Sequence, residues 1–166
     1  MNMGEYKMSK SFQTMTDQIL VFTLDELSYA ISLNAVVEVI HAIEIRYLSN
    51  APEIITGIIN VRGQIIPVVD IRKRFNLADH EIDLNDRLII ANTVKRQIAV
   101  LVDTIIGIRD MEPRQFVVAK EILPFAKHIS GVAKVDDGLI FIYDLERFLG
   151  LTEEKELEKA LKTKNK

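Results

Sequence analysis

The sequence predicts a mainly β protein built as two small, closed, antiparallel barrels, and three observations predict it. First, 37 of the 166 residues are Ile or Val against 16 Leu, and β-branched side chains lose rotamer freedom in helices while packing well on a pleated sheet. Second, the chain matches itself. Residues 18–40 (QILVFTLDELSYAISLNAVVEVI) align with 87–109 (RLIIANTVKRQIAVLVDTIIGIR) at a constant offset of 69, and 56–77 align with 130–151 at an offset of 74. Ala30/Ala99, Ile31/Val100 and Val36/Ile105 coincide in the first block, and Gly57/Gly131, Val61/Val135, Ile66/Ile140 and Asp70/Asp144 in the second. Third, each copy holds four or five short strand-like runs in about 65 residues. One such lobe buries too little surface to be stable alone, two packed lobes ease that problem, and closure removes aggregation-prone edges.

The elements follow in order. Residues 1–16 are polar and read as a flexible leader without the apolar core of a secretory signal. Residues 19–24 and 27–33 form a hairpin around Asp25-Glu26. Asn34 can cap a short helical turn, since Val36, Val39, Ile40 and Ile43 fall at i, i+3, i+4 and i+7, although Val-Val-Glu-Val-Ile also suits a strand. Residues 57–61 and 64–69 form a second hairpin around Arg62-Gly63. Pro67 cannot donate to a ladder and so lies at an edge or turns its non-bonding side inward. Asp70 and Asp144 close their strands as caps of one or two helical turns, with Ile71/Phe75 and Leu145/Leu149 paired at i, i+4. In the tail, residues 151–166, Thr152 stands at an N-cap position with Glu153 and Glu154 in the first turn and Lys162 and Lys164 late, which complements the helix dipole. Its thin stripe of Leu157, Ala160 and Leu161 predicts a helix that docks weakly. The resulting organisation is a leader at 1–16, a β domain over 17–150 with subdomains at about 18–80 and 86–150, and the tail. The boundary between subdomains is left open to a strand crossing over.

Composition excludes several functions. With 21 Lys+Arg against 24 Asp+Glu, the net charge of −3 leaves no electrostatic footprint for nucleic acid. The absence of Cys excludes disulfides, thiolate metal ligation and a Cys nucleophile. No apolar run approaches the roughly 20 residues that span a bilayer, so no membrane insertion is expected and the cytoplasm is the default compartment. His41, His80 and His128 stand apart without metal-ligand spacing, so no metal is expected. Nucleophile-elbow, P-loop and dinucleotide motifs are missing, and Asp70 and Asp144 recur as caps rather than as an acid–base pair. The sequence predicts no enzyme, no catalytic residue and no cofactor.

The duplication also separates positions needed by the scaffold from positions free of it. Arg62 faces Asp136 across the two copies, so that turn does not require a cation, and Arg62 is a candidate contact residue. Glu38 faces Gly107 inside an apolar stretch, where a carboxylate must point outward or meet a partner.

The run Gly57-Ile-Ile-Asn60-Val-Arg62-Gly63-Gln-Ile-Ile-Pro67-Val-Val-Asp70-Ile71-Arg72 resembles the GxxNxRGxxxPxxDLR signature of CheW-type chemotaxis coupling proteins. Pro52, Phe75, the Val100-Leu-Val-Asp103 segment and the closing Leu139-Ile-Phe-Ile-Tyr-Asp144-Leu extend the resemblance over about residues 17–150, with Ile71 where the family often has Leu and a slightly long 78–86 loop. The resemblance implies two SH3-like five-stranded β-barrel subdomains with short helices. It implies a non-catalytic adaptor that joins methyl-accepting chemoreceptors to the histidine kinase CheA in a signalling array, in the cytoplasm at the inner face of the membrane through those receptors. In the family, receptors bind in a groove between the barrels. Carried over by motif, the receptor-facing residues are Val36, Glu38, Gly57, Asn60, Arg62 and Ile108, which include both positions singled out by the duplication. The kinase's regulatory domain packs barrel against barrel, and Ile89 is the kinase-facing expectation. A coupling protein of another chemosensory pathway, such as pilus motility, and a small-barrel RNA-binding protein are the alternatives. The chain ends 16 residues past Gly150, so a stand-alone adaptor is expected rather than a fusion to a receiver or a kinase.

Overall fold

The structure, a computed structural model, describes residues 18–74, 76–118, 129–136 and 138–164. The expected leader, Phe75 with its pairing to Ile71, His128 and Asp137 lie outside the described residues. Eleven strands are described: β1 (Gln18–Leu24), β2 (Leu27–Ser32), β3 (Val36–His41), β4 (Ile55–Val61), β5 (Gln64–Val69), β6 (Arg87–Asn92), β7 (Gln97–Val102), β8 (Thr104–Asp110), β9 (Phe116–Val118), β10 (Ile129–Val135) and β11 (Gly138–Tyr143). One helix, α1 (Leu151–Lys164), closes the described chain.

The strands form two sheets, ordered β8-β1-β2-β11-β10-β9 and β3-β6-β7-β5-β4. The chain accordingly divides into two compact units. Unit 1 takes the chain to Val36 and Thr104–Leu145, and unit 2 takes Val37–Asp103 and everything from Glu146 on. The crossing that the sequence left open between subdomains at about 18–80 and 86–150 is present: the two units interlace. Each sheet combines the first two strands of one repeat with the last strands of the other. Two of the joints between repeats, β5–β7 and β2–β11, are parallel while β1–β8 is antiparallel, so neither sheet is purely antiparallel as expected. In unit 2, Val68 and Val69 of β5 face Ala99 and Val100 of β7; in unit 1, Ile142 and Tyr143 of β11 face Ala30 and Ile31 of β2. Those two joints superimpose under the offsets of 74 and 69 read from the sequence, which carries the duplication from sequence pattern into pairing register. The second repeat adds a sixth strand, β9, through three pairs with β10.

Local chemistry explains the elements. Asp25 and Glu26 both take positive φ, 48° and 69°, as a two-residue hairpin turn demands. The ambiguous 36–43 segment resolves as strand β3: its side chains alternate half-buried and exposed, a period of two. The 3-10 turn before it, Leu33–Ala35, has Ser32 rather than Asn34 at its N-cap position, with no side-chain cap hydrogen bond from Ser32. Pro67 faces Ile58, whose N–H and C=O both bond Arg46 at 2.8 and 2.9 Å, so β4 asks no hydrogen bond of the proline. That same Arg46–Ile58 bridge links the segment after β3 to β4 and so joins the two ends of the unit 2 sheet.

The cores are separate. Ile19, Val21, Ala30, Met111, Phe116, Ala133, Ile140 and Ile142 pack together in unit 1. Ile59, Ile66, Val68, Leu88, Ile90, Ala99 and Leu101 do so in unit 2. Asp70 caps as expected, its Oδ1 accepting the Arg72 N–H at 3.1 Å. The tail helix begins two residues earlier than expected. Gly150 is its N-cap, with its C=O accepting the Glu154 N–H and its own N–H donated to Glu153 Oε1 at 2.9 Å, half of a capping box. The helix does not dock weakly: Leu157 and Ala160 are buried, Glu153 pairs with Arg74, and Glu154 lies 3.2 Å from Arg96.

Candidate functional site

The turn between β4 and β5 builds the site. Both of its central residues, Arg62 and Gly63, adopt positive φ (51° and 84°), the mirror-image turn that matches strand twist. Asn60 fixes it by accepting the Gly63 N–H on Oδ1 at 2.8 Å. An arginine in a left-handed conformation is unusual, because its Cβ crowds the following carbonyl. Held this way, the guanidinium reaches Glu38 on β3, with Nη2 donating to Oε1 at 2.7 Å. The arginine side chain is 73% exposed and the glutamate 29%. Such an exposed pair contributes about 0–1 kcal/mol to stability. Its consequence is positional: Glu38 orients a cation whose other N–H groups point to solvent.

The structure thus gathers Glu38, Asn60 and Arg62. Gly57 is close in sequence but differs in role. A side chain there would overlap the Arg46 carbonyl oxygen and come within 2.8 Å of Ile45 Cγ2, so the glycine is where the backbone after β3 crosses β4. Its counterpart Gly131 is crowded in the same way by the Phe116 ring and, at 2.8 Å, by the Val117 carbonyl oxygen. Val36 opens β3, half-buried, two residues before Glu38 on the same face. Ile108 sits in unit 1 on the edge strand β8, opposite Leu20, and is 60% exposed. The Glu38/Gly107 mismatch has a backbone cause on the glycine side. Gly107 takes φ +145° where the β1–β8 register shifts.

Ile89 requires correction as a kinase-facing residue. It lies in β6 between β3 and β7 and is fully buried, so no partner can reach it. Its apolar pattern signalled a strand but not which strands would flank it.

One group escaped the sequence reading. Arg72, 1% exposed, pairs with Asp103, and His80 Nε2 lies 2.8 Å from Asp86 Oδ2 and 3.7 Å from Asp103 Oδ1. His80, Asp86 and Asp103 offer ligand atoms within 4.8 Å of one another. Their oxygens are nevertheless already engaged, by the Arg72 guanidinium at Asp103 and by the Asp83 N–H, 2.9 Å from Asp86 Oδ2. The arrangement reads as a hydrogen-bonded ion cluster that pins the 76–86 loop to the end of β7. A charge directly after an apolar strand, as in Val100-Leu-Val-Asp103, was the available signal. His41 is exposed on β3, away from any such group among the described residues. Among the described residues no helix is long and apolar enough to cross a membrane.

A family model described as CheW-like domain matches residues 18–153. The chemotaxis protein CheW of Klebsiella aerogenes is 25% identical over 143 residues, covering 85% of this chain and 86% of that protein. The chemotaxis protein CheW of Thermotoga maritima is 27% identical over 132 residues, covering 80% and 87%. Among solved structures, the scaffolding protein TtCheW from Thermoanaerobacter tengcongensis superimposes with a TM-score of 0.76 at 29% identity, covering 84% of this chain and 96% of that one. The matched span takes in both repeats and the whole of the Arg62 turn, and the chain belongs to the CheW-like domain family.

Proposed function

We propose that this protein is a chemotaxis coupling protein, working in the cytoplasm, that holds chemoreceptor tips and the histidine kinase CheA in a fixed geometry. As a member of its family it is a non-catalytic scaffold. The observation that carries the reading is the Arg62 turn. An arginine accepts an unfavourable backbone conformation, with Asn60 and Glu38 holding it, on a surface where a scaffold would need no cation. Receptor contact falls to Arg62, Glu38 and Asn60, with Val36 and Ile108 as apolar contacts, while Gly57 serves the backbone crossing.

The mechanism is positional. A receptor conformational change alters phosphotransfer in the kinase because both are coupled through the scaffold. Pairwise contacts of such a scaffold are on the order of micromolar, roughly −8 kcal/mol each, and multivalency in an array raises the effective affinity. Co-sedimentation of the protein with receptor cytoplasmic fragments and CheA, leaving out each partner in turn, tests this. The ternary pellet should lose most of its kinase without the protein, and an equal kinase yield in its absence would refute the reading.

A further inference from the structure

The strand exchange has a consequence for association. In unit 1 the first repeat supplies β1 and β2 and the second supplies β8 to β11; in unit 2 the first supplies β3, β4 and β5 and the second β6 and β7. Neither sheet can be completed by one repeat. One joint between repeats, the parallel one, is made twice in the same register, Val68/Ala99 with Val69/Val100 and Ile142/Ala30 with Tyr143/Ile31. The repeats also pair where β1 lies against β8 and β3 against β6, and the described part of the link between them, 76–86, forms no strand. The bonds that hold it are local to its two ends: Leu77 N–H to the Arg72 carbonyl at 3.1 Å, His80 to Asp86 at 2.8 Å with Asp103 3.7 Å away, the Asp83–Asp86 turn at 3.0 Å, and the Ala42 N–H to the Asp86 carbonyl at 3.0 Å.

We propose that a second copy of this chain is a binding partner, through reciprocal exchange of whole repeats with the 76–86 loop as the hinge. The first repeat of one copy meets the second repeat of the other with every ladder bond of the monomer remade, since the two repeats recognise each other through sheet pairing and not through the link. Only the hinge bonds and the association entropy separate the two forms. A short flexible link gives its ends an effective concentration of about millimolar. Folded chains therefore stay monomeric at micromolar concentration, and exchange takes over when chains fold close together.

Refolding from denaturant at about 1 µM, far below that regime, and at about 500 µM, close to it, tests the exchange on the intact chain. The dilute sample should return to monomer, and the concentrated one should yield a species of twice the mass with unchanged far-UV circular dichroism. Monomer alone at both concentrations overturns the proposal. A second arm inserts a protease recognition sequence between Glu81 and Ile82 and cuts it after folding. The two fragments should elute together, and after denaturation the β signal should return about tenfold faster for a tenfold rise in concentration, as for a bimolecular assembly. Separation of the fragments on cutting, or recovery independent of concentration, overturns it as well.

Discussion

Replacing Arg62 by Asp separates recognition from stability. Arg62 sits at φ +51°, and the left-handed region costs an ordinary residue about 1–2 kcal/mol while Asp and Asn visit it readily. The substitution relieves part of that cost. Against it stand the lost exposed ion pair with Glu38, about 0.2–1 kcal/mol, and a like-charge contact of similar size. The terms nearly cancel, so the melting temperature should move by no more than about 4 °C, the shift that ~1 kcal/mol produces in a chain of this size. Receptor binding should fall by about 1–3 kcal/mol, roughly 5- to 150-fold in Kd, because an oriented cation at an interface is replaced by an anion. Thermal melts read by circular dichroism, paired with co-sedimentation against receptor cytoplasmic fragments, measure both quantities. Arg62→Asn serves as the companion, with the turn preference kept and no repulsion toward Glu38. Unchanged receptor binding in both variants removes Arg62 from the site. A melting temperature lower by about 8 °C or more would mean that the pair supports the fold instead, since that shift exceeds ~2 kcal/mol.

Three further outcomes are expected. Gly57→Ala forces a methyl into the Arg46 carbonyl, and overpacking against backbone should cost about 3 kcal/mol, read as a lowered denaturant midpoint; an unchanged midpoint would show that the crossing can open. Ile89→Val should cost about 0.5–1.5 kcal/mol of stability as a core truncation, with kinase affinity in pull-down unaltered, whereas a selective loss of kinase binding would restore the residue to an interface. Tyr143 is buried, and burial, with Tyr29 beside it, pushes its hydroxyl well above the usual 10.0. The folded state keeps this proton while the unfolded state releases it, so the contribution is intact below about pH 10 and falls by about 1.4 kcal/mol per unit above it. Tyr143→Phe should flatten that alkaline limb in urea titrations between about pH 9 and 11, and an equally steep decline in the variant would assign the limb elsewhere.

Much of the site was legible because it broke the internal symmetry. Arg62 against Asp136 and Glu38 against Gly107 stand out in the repeat alignment, and the structure joins Arg62 to Glu38 at 2.7 Å. Gly57 and Gly131 were equally visible as a matched pair, but a matched glycine marks a steric need, here the crossing backbone at Arg46 and the Phe116 ring. The Arg72–Asp103 pair was hidden because its partners lie 31 residues apart and on neither repeat's common pattern. Ile89 failed for a related reason: an apolar residue in a strand looks the same whether its strand is at an edge or between two others.

By itself the sequence determined the strands, their turns and the twofold repetition, because side-chain alternation, turn residues and periodicity are local properties. Only the tertiary structure decided which strand pairs with which. Two repeats of like pattern offer equivalent partners within and between themselves, and a local pattern carries no preference among equals. The choice of Val68 beside Ala99 and Ile142 beside Ala30 rests on closing both sheets at once, a condition that exists only when the whole chain is folded.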